Sequence, residues 1–244
     1  PFKRAGGRIH WGNKTLSLED FTLEGIDSYW KMDGSIYFPK GDIPLDWESW
    51  IADNKNAPAI NIKSEVNNWK LSNYLDVTNS SYKTMMDGKI EGMFELSGTM
   101  SRPEFKLGLR LKDGRIAANT FNTFDSFITY RPGLLDINRI EYIAPDSHAL
   151  LTGQIDEDKN QFNITADAEN LPVEMLHPFI PGTEMLKGKI QTITKITGKL
   201  ETPELISDTR ITNGSFGIVE FDEAGGNFKA DSGVISFDDL KIRK

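Results

Sequence analysis

The sequence predicts a mainly β fold: an elongated, curved, open sheet built from repeats, with short helices between the units. Three observations predict it. Apolar and polar residues alternate over long stretches of the 244 residues, a phrase that starts at Gly88 returns one hundred positions later, and a second phrase, present three times, switches its inward parity at its middle.

The alternation is clearest after Gly88, where Ile90, Gly92, Phe94, Leu96, Gly98 and Met100 share one parity and Glu91, Glu95 and Ser97 take the other. A period of two marks a strand with one face buried. Ile190, Thr192, Thr194, Ile196, Gly198 and Leu200 keep that parity, on a face made partly of β-branched threonine. Further strands are predicted over 106–111, 127–130, 148–155 and 160–168, separated by the turn phrases KDG, RPG and DEDKN.

The repeat extends residue by residue. At an offset of 100, Gly88, Ile90, Leu96, Gly98, Pro103, Glu104, Arg110, Leu111, Gly114 and Phe121 meet Gly188, Ile190, Ile196, Gly198, Pro203, Glu204, Arg210, Ile211, Gly214 and Phe221 without a gap. Residues 18–36 overlie 137–155 at an offset of 119, and residues 60–69 overlie 162–171 at an offset of 102. The change from 119 to 102 places about 17 extra residues in the first copy, between Gly34 and Ile60. The chain therefore divides into the end of one unit (1–66, with an inserted segment at about 37–58), a complete unit (67–168) and the start of another (169–244).

The phrases LSLEDFTL (16–23), LDINRIEY (135–142) and ISFDDLKI (235–242) each place an apolar pair, two polar residues and another apolar pair. A flat strand cannot keep both pairs on one face, because a slip of one residue reverses every later side chain. A bulge or sharp bend at Asp20, Arg139 and Asp239 restores the inward direction and curves the sheet. Two short helices are expected. In residues 169–182 Asn170 is a candidate N-cap, Pro172 lies just inside, and Val173, Leu176 and Phe179 have helical spacing; residues 67–77 repeat the form. Trp47, Trp50 and Ile51 in the insert also have helical spacing, which suits packing on the sheet, capping its hollow or touching a membrane interface.

Composition narrows the chemistry. The formal charge of -8 argues against a nucleic-acid surface, and the lack of cysteine removes thiol catalysis, disulfides and Cys-ligated zinc. No apolar run reaches the roughly 20 residues of a membrane helix, and the opening segment has no signal-peptide core. Because it starts without Met, the chain reads as a piece of a longer protein. His10, His148 and His177 have no metal-ligand spacing, and adjacent acids such as Asp222 and Glu223 point to opposite faces of a strand. No catalytic residue, metal or cofactor is expected, and the chain is not expected to be an enzyme.

A sheet folded over without closing leaves an apolar interior open along one side, where an acyl chain gains about 0.8 kcal/mol per buried methylene. A groove without polar anchors suits sliding. The candidate lining is Ile90, Phe94, Leu96, Leu107, Leu109 and Leu111, then Phe127, Ile137, Ile140, Leu151, Phe162 and Ile164, then Ile190, Ile196, Leu200, Ile211, Phe237 and Leu240. Phe121 and Phe124 are read with Phe127 as core or groove wall. The same residues also fit a closed core filled by side chains.

The order NLPVEMLHPFIPG, LKGKI, ITGKLETPEL and ITNGSF, with LLTGQI and FNITADAENLPVEML upstream, resembles the repeats of TamB in the wider AsmA-like superfamily over most of residues 60–244. That resemblance implies a β-taco, a long U-shaped sheet with an apolar groove, lying in the periplasm as part of a longer protein anchored in the inner membrane. It implies phospholipid or another acyl-chain lipid as ligand, and transport between the two membranes or support of outer-membrane protein assembly. The implied partner is an outer-membrane barrel of the Omp85 class, TamA-like, met through a part of the protein not present here. The alternative is a non-catalytic β-repeat module for binding or adhesion, with a glycan or protein as ligand.

Overall fold

The computed structural model describes residues 3–41, 56–72, 86–116, 119–177, 183–231 and 234–244. They form one antiparallel sheet of 14 strands, each paired with its neighbours in sequence. The first strands are β1 (Arg4–Gly12), β2 (Thr15–Glu24), β3 (Tyr29–Tyr37) and β4 (Ala59–Lys70). β5 (Met86–Thr99), β6 (Arg102–Ile116), β7 (Asn119–Arg131), β8 (Leu134–Ala144), β9 (Ser147–Asp156) and β10 (Gln161–Pro172) follow. The remainder is β11 (Leu186–Lys199), β12 (Pro203–Phe216), β13 (Val219–Asp231) and β14 (Val234–Arg243). β1 and β14 are the two edges, so the sheet is open.

Turn chemistry fits the tight connections. Between β1 and β2, Asn13 and Lys14 take φ of 50° and 63°, the left-handed pair that a two-residue hairpin with the right twist needs. Between β7 and β8, Pro132 precedes Gly133 at φ 88°, the arrangement of a type II turn.

All three predicted bends are present. Register shifts fall between Leu18 and Phe21 in β2, between Ile137 and Ile140 in β8, and between Gly225 and Asn227 opposite β14. Asp20 and Asp239 adopt φ of 51° and 57° there. A second set of bends lies nearer the strand ends, at Asn68, Asp113, Asn170 and Asn213, with φ of 49°, 48°, 52° and 48°. Every one is Asn or Asp, the non-glycine types that enter the left-handed region most readily.

The repeat is six strands long. β2, β8 and β14 carry the first set of bends, and β4 and β10 carry Asn68 and Asn170. Gly34 in β3 and Gly153 in β9 each abut the backbone of the following strand: an added Cβ would come within 2.7 Å of Ile62 Cα in one and 2.6 Å of Ile164 Cα in the other. Gly114 in β6 lies under the Phe121 ring of β7, and Gly214 in β12 under the Phe221 ring of β13; an added Cβ would meet those rings at 2.3 and 2.4 Å. A glycine covered by an aromatic ring on the next strand is a recurrent device in curved sheets. The extra residues of the first copy fall in the connection from β3 to β4. Trp47, Trp50 and Ile51 lie outside the described residues.

The helix expected over 169–182 is replaced, among the described residues, by strand and a short 3-10 turn. β10 continues through a bulge at Asn170, with Leu171 paired to Ile190 and Pro172 to Lys189, before the turn Val173–Met175. Pro172 ends the strand, where its missing N–H is not needed for the ladder. β4 runs to Lys70, so residues 67–70 of the helix expected over 67–77 are strand, while Leu71 and Ser72 are helical; residues 73–77 are outside the described set.

The sheet curls. A cavity of about 840 Å³ is bounded by Asn119 in β7, Pro172 in β10, Gly188 in β11, Gly214 in β12 and Phe221 in β13. In a flat sheet β7 and β13, six strands apart, would stand about 28 Å from each other.

Candidate functional site

Strand pairing assembles the inward side chains into rows that run across the sheet. One row is Trp69, Ile90, Leu111, Phe124, Tyr142, Ala149 and Ala168. The next is Trp30, Val66, Gly92, Leu109, Ser126, Ile140, Leu151 and Ala166. Beside it run Met32, Ser64, Phe94, Leu107, Ile128, Ile137, Gly153, Ile164, Ile196 and Leu205. A fourth holds Ile62, Leu96, Phe105, Tyr130, Leu135, Ile155 and Phe162. Aromatic contacts tie neighbouring strands together: Phe105 stacks on Tyr130 at 5.4 Å, and Phe121 meets Tyr142 edge-on at 5.8 Å.

Two environments lie along these rows. At the end nearest the 3-10 turn the face is filled, and Leu71, Leu111, Ile116, Phe121, Tyr142, Leu171 and Met175 pack into a buried cluster. Farther along the strands Phe94, Leu96, Leu107, Leu109, Ile140, Leu151, Phe162, Ile164 and Ile196 are half-buried. Their side chains keep part of their surface open to solvent. Ile190 and Ile211 pair in a further row with Leu171 and Ala224.

Phe127 does not belong to the trough. It pairs with Gly108 and Arg139 on the opposite face and is 47% exposed. Counting by two from Phe124 gives Ser126 and Ile128 as the inward residues, which leaves Phe127 pointing out. Leu200 lies just past β11, its N–H donating to Asn160 Oδ1 at 3.2 Å. Phe237 is in register with Phe228, and Leu240, also on edge strand β14, is 57% exposed. Phe124 faces inward as expected; Phe105, Ile128, Tyr130, Leu135 and Tyr142 also face inward and are not among the expected lining, although Phe105 has the parity of Leu107, Leu135 that of Ile137 and Tyr142 that of Ile140.

The lining is not uniformly apolar, which corrects the expectation of a groove without polar anchors. Thr192 and Thr194 of β11 and Ser207 and Thr209 of β12 occupy inward positions and bring four hydroxyls together. Thr192 Oγ1 lies 2.7 Å from Thr209 Oγ1 and 3.0 Å from Ser207 Oγ, and Thr194 Oγ1 lies 2.8 Å from Ser207 Oγ.

The opposite face is ionic. Asp125 is buried beneath Arg110, whose Nε and Nη2 donate to its two carboxylate oxygens at 2.7 and 2.8 Å, while Arg139 donates to one of them at 2.9 Å. The Arg110 hydrogen bonds, aided by the charge of Arg139, hold the Asp125 carboxyl below the usual carboxylate range. Glu141 links Arg139, at 3.3 Å, to His148 Nε2, at 3.0 Å. Lys63 and Lys106 flank Glu95, and Lys112 meets Glu91. His177 Nε2 lies 2.9 Å from the Leu186 carbonyl oxygen, and His10 is in β1.

Fold and face together define a class: an open, curled antiparallel β-meander with a six-strand repeat, charged outside and largely apolar within. No family model, curated protein or solved structure matches the chain.

Proposed function

We propose that this protein is a non-catalytic segment of a lipid-handling bridge, of the TamB and AsmA-like kind, whose trough holds acyl chains. The observation that carries the reading is the set of mainly apolar rows, much of them half-buried, on one face of a sheet that does not close. Each methylene moved from water onto such a surface gains about 0.8 kcal/mol, so affinity is easily reached with one or two acyl chains. On this reading the ligand is phospholipid or another acyl-chain lipid, carried across the periplasm between inner and outer membranes. The same trough suits apolar strands of outer-membrane proteins awaiting assembly. An Omp85-class barrel is the expected partner, met by another part of the protein.

The test is lipid loading. Solvent extraction of the purified protein followed by mass spectrometry is expected to release phospholipid. Phe94→Arg and Ile196→Arg each place a cation in the middle row and are expected to lower loading about tenfold, with β content by circular dichroism retained. Normal loading in both variants would overturn the reading.

A further inference from the structure

We propose that Thr192, Thr194, Ser207 and Thr209 form a seat for the ester carbonyls of a diacyl lipid, so that the trough has a fixed position for the polar neck of its ligand. This rests on the reading of the trough as an acyl-chain site.

The four hydroxyls make an island. Along their own strands the next inward residues are Ile190, Ile196, Leu205 and Ile211, and to one side stand Ala166 and Ala168 of β10. Oil surrounds them. Ser207 is only 1% exposed, and its Oγ lies 2.7–3.0 Å from the hydroxyls of Thr192, Thr194 and Thr209. With the contacts from Thr192 to Thr194 and Thr209, the cluster has five close oxygen pairs. A hydroxyl carries one proton and two lone pairs, so four protons cannot serve five contacts at once and the network can rearrange. The three threonines are half-buried and can turn an O–H toward an acceptor arriving along the trough.

The positions one hundred residues earlier are Gly92, Phe94, Leu107 and Leu109, which continue the apolar rows. Side-chain size changes beside the cluster too. Inward on β13, Ala224, Gly226 and Ala230 stand where β7 has Phe124, Ser126 and Tyr130, while Phe228, paired with Ser207, stands where β7 has Ile128. The second unit thus gives up oil on β11 and β12 and supplies there the hydrogen-bond donors that a glycerol ester needs and a bare hydrocarbon does not. The flanking inward residues carry no charge, so the donors suit a neutral carbonyl better than a phosphate. Acyl chains leaving that carbonyl lie on the Ile164, Ile196 and Leu205 row.

The discriminating pair is a phosphatidylcholine with two ester-linked chains and its dialkyl ether, which has the same head and tails but no carbonyls. Each is delivered from vesicles to the full chain, and the amount bound is measured after gel filtration. The wild type is expected to hold the ester about tenfold more strongly than the ether. The variant Thr192→Val/Thr194→Val/Ser207→Ala/Thr209→Val, which removes the whole network and so orphans no partner, is expected to bind the two equally. Equal binding of ester and ether by the wild type, or an ester preference that survives in the variant, would overturn the seat. The wild-type ratio decides even where the variant fails to fold. Should the wild type bind neither lipid, the trough reading itself falls, and the seat with it.

Discussion

β5–β7 and β11–β13 share a backbone plan and differ in their lining. Gly88 and Gly188 have φ of 149° and 126°, Gly98 and Gly198 have 90° and 94°, and Asp113 and Asn213 are bent alike at 48°. Gly114 and Gly214 lie under equivalent phenylalanine rings. Yet Phe94, Leu107 and Leu109 in one region become Thr194, Ser207 and Thr209 in the other. What recurs is what bends the strand; what varies is what a ligand meets. A repeat of this kind encodes curvature, and the chemistry of the surface is left to each unit.

The largest effect expected from breaking the shared plan is at Gly114. A methyl group there would lie 2.3 Å from Phe121 Cζ and 2.5 Å from the Asp87 carbonyl oxygen, so backbone and ring must both move. Gly114→Ala is expected to cost about 2–4 kcal/mol in urea denaturation, and Gly214→Ala a similar amount. Gly6→Ala in β1, where an added Cβ meets nothing within 4 Å, is expected to change stability by less than about 0.5 kcal/mol. Equal effects at Gly6 and Gly114 would show that the close approach is not what requires glycine.

The ionic faces of the two regions differ as well. Asp125 lies buried between Arg110 and Arg139, whereas the residue one hundred positions on is Gly225, and Arg210 turns instead to Glu223, which it shares with Arg243. Asp125→Asn leaves two guanidiniums without their shared carboxylate and is expected to cost about 1–2 kcal/mol at neutral pH. Glu223→Gln, in a more open pair, is expected to cost at most about 0.5 kcal/mol. Because the Arg110 hydrogen bonds lower the Asp125 pKa in the folded chain, its contribution is complete above the unfolded value of about 4 and disappears as pH falls through the folded value. The stability gap between wild type and Asp125→Asn should therefore close below about pH 4. A gap that stays constant from pH 7 to pH 2 would assign it to packing.

Much of this plan was readable in the sequence because strand periodicity is local. The parity switch in LEDFTL, INRIEY and FDDLKI is visible without coordinates, and bends appear at all three places. What failed depended on longer-range partners. The helical spacing of Val173, Leu176 and Phe179 hides that β10 continues through Leu171 and Pro172, which only the pairing of Leu171 with Ile190 and Pro172 with Lys189 decides, and that Val173–Met175 make a single 3-10 turn. Phe127 has the same spacing from Phe124 as Phe124 has from Phe121, and only its pairing with Gly108 and Arg139 puts it on the outer face. The hydroxyl cluster needed β12 beside β11: Thr192 and Thr194 read as β-branched strand formers until Ser207 and Thr209 met them.

The smallest effect sharpens the assignment of faces. Met93 and Ile193 occupy equivalent outward positions in the two regions and are 60% and 62% exposed. Each is one residue from an inward position, Phe94 in one strand and Thr192 and Thr194 in the other. Lysine at either outward site adds a charge that water already solvates, so Met93→Lys and Ile193→Lys are expected to shift stability by no more than about 0.5 kcal/mol and to leave lipid loading unchanged. Phe94→Arg, one residue away from Met93, is expected to abolish most loading. The two faces differ by a single step along the strand, and alternation therefore makes the contrast strict. Loss of loading in Met93→Lys, with Phe94→Arg still loaded, would reverse the faces and place the ligand surface on the ionic side.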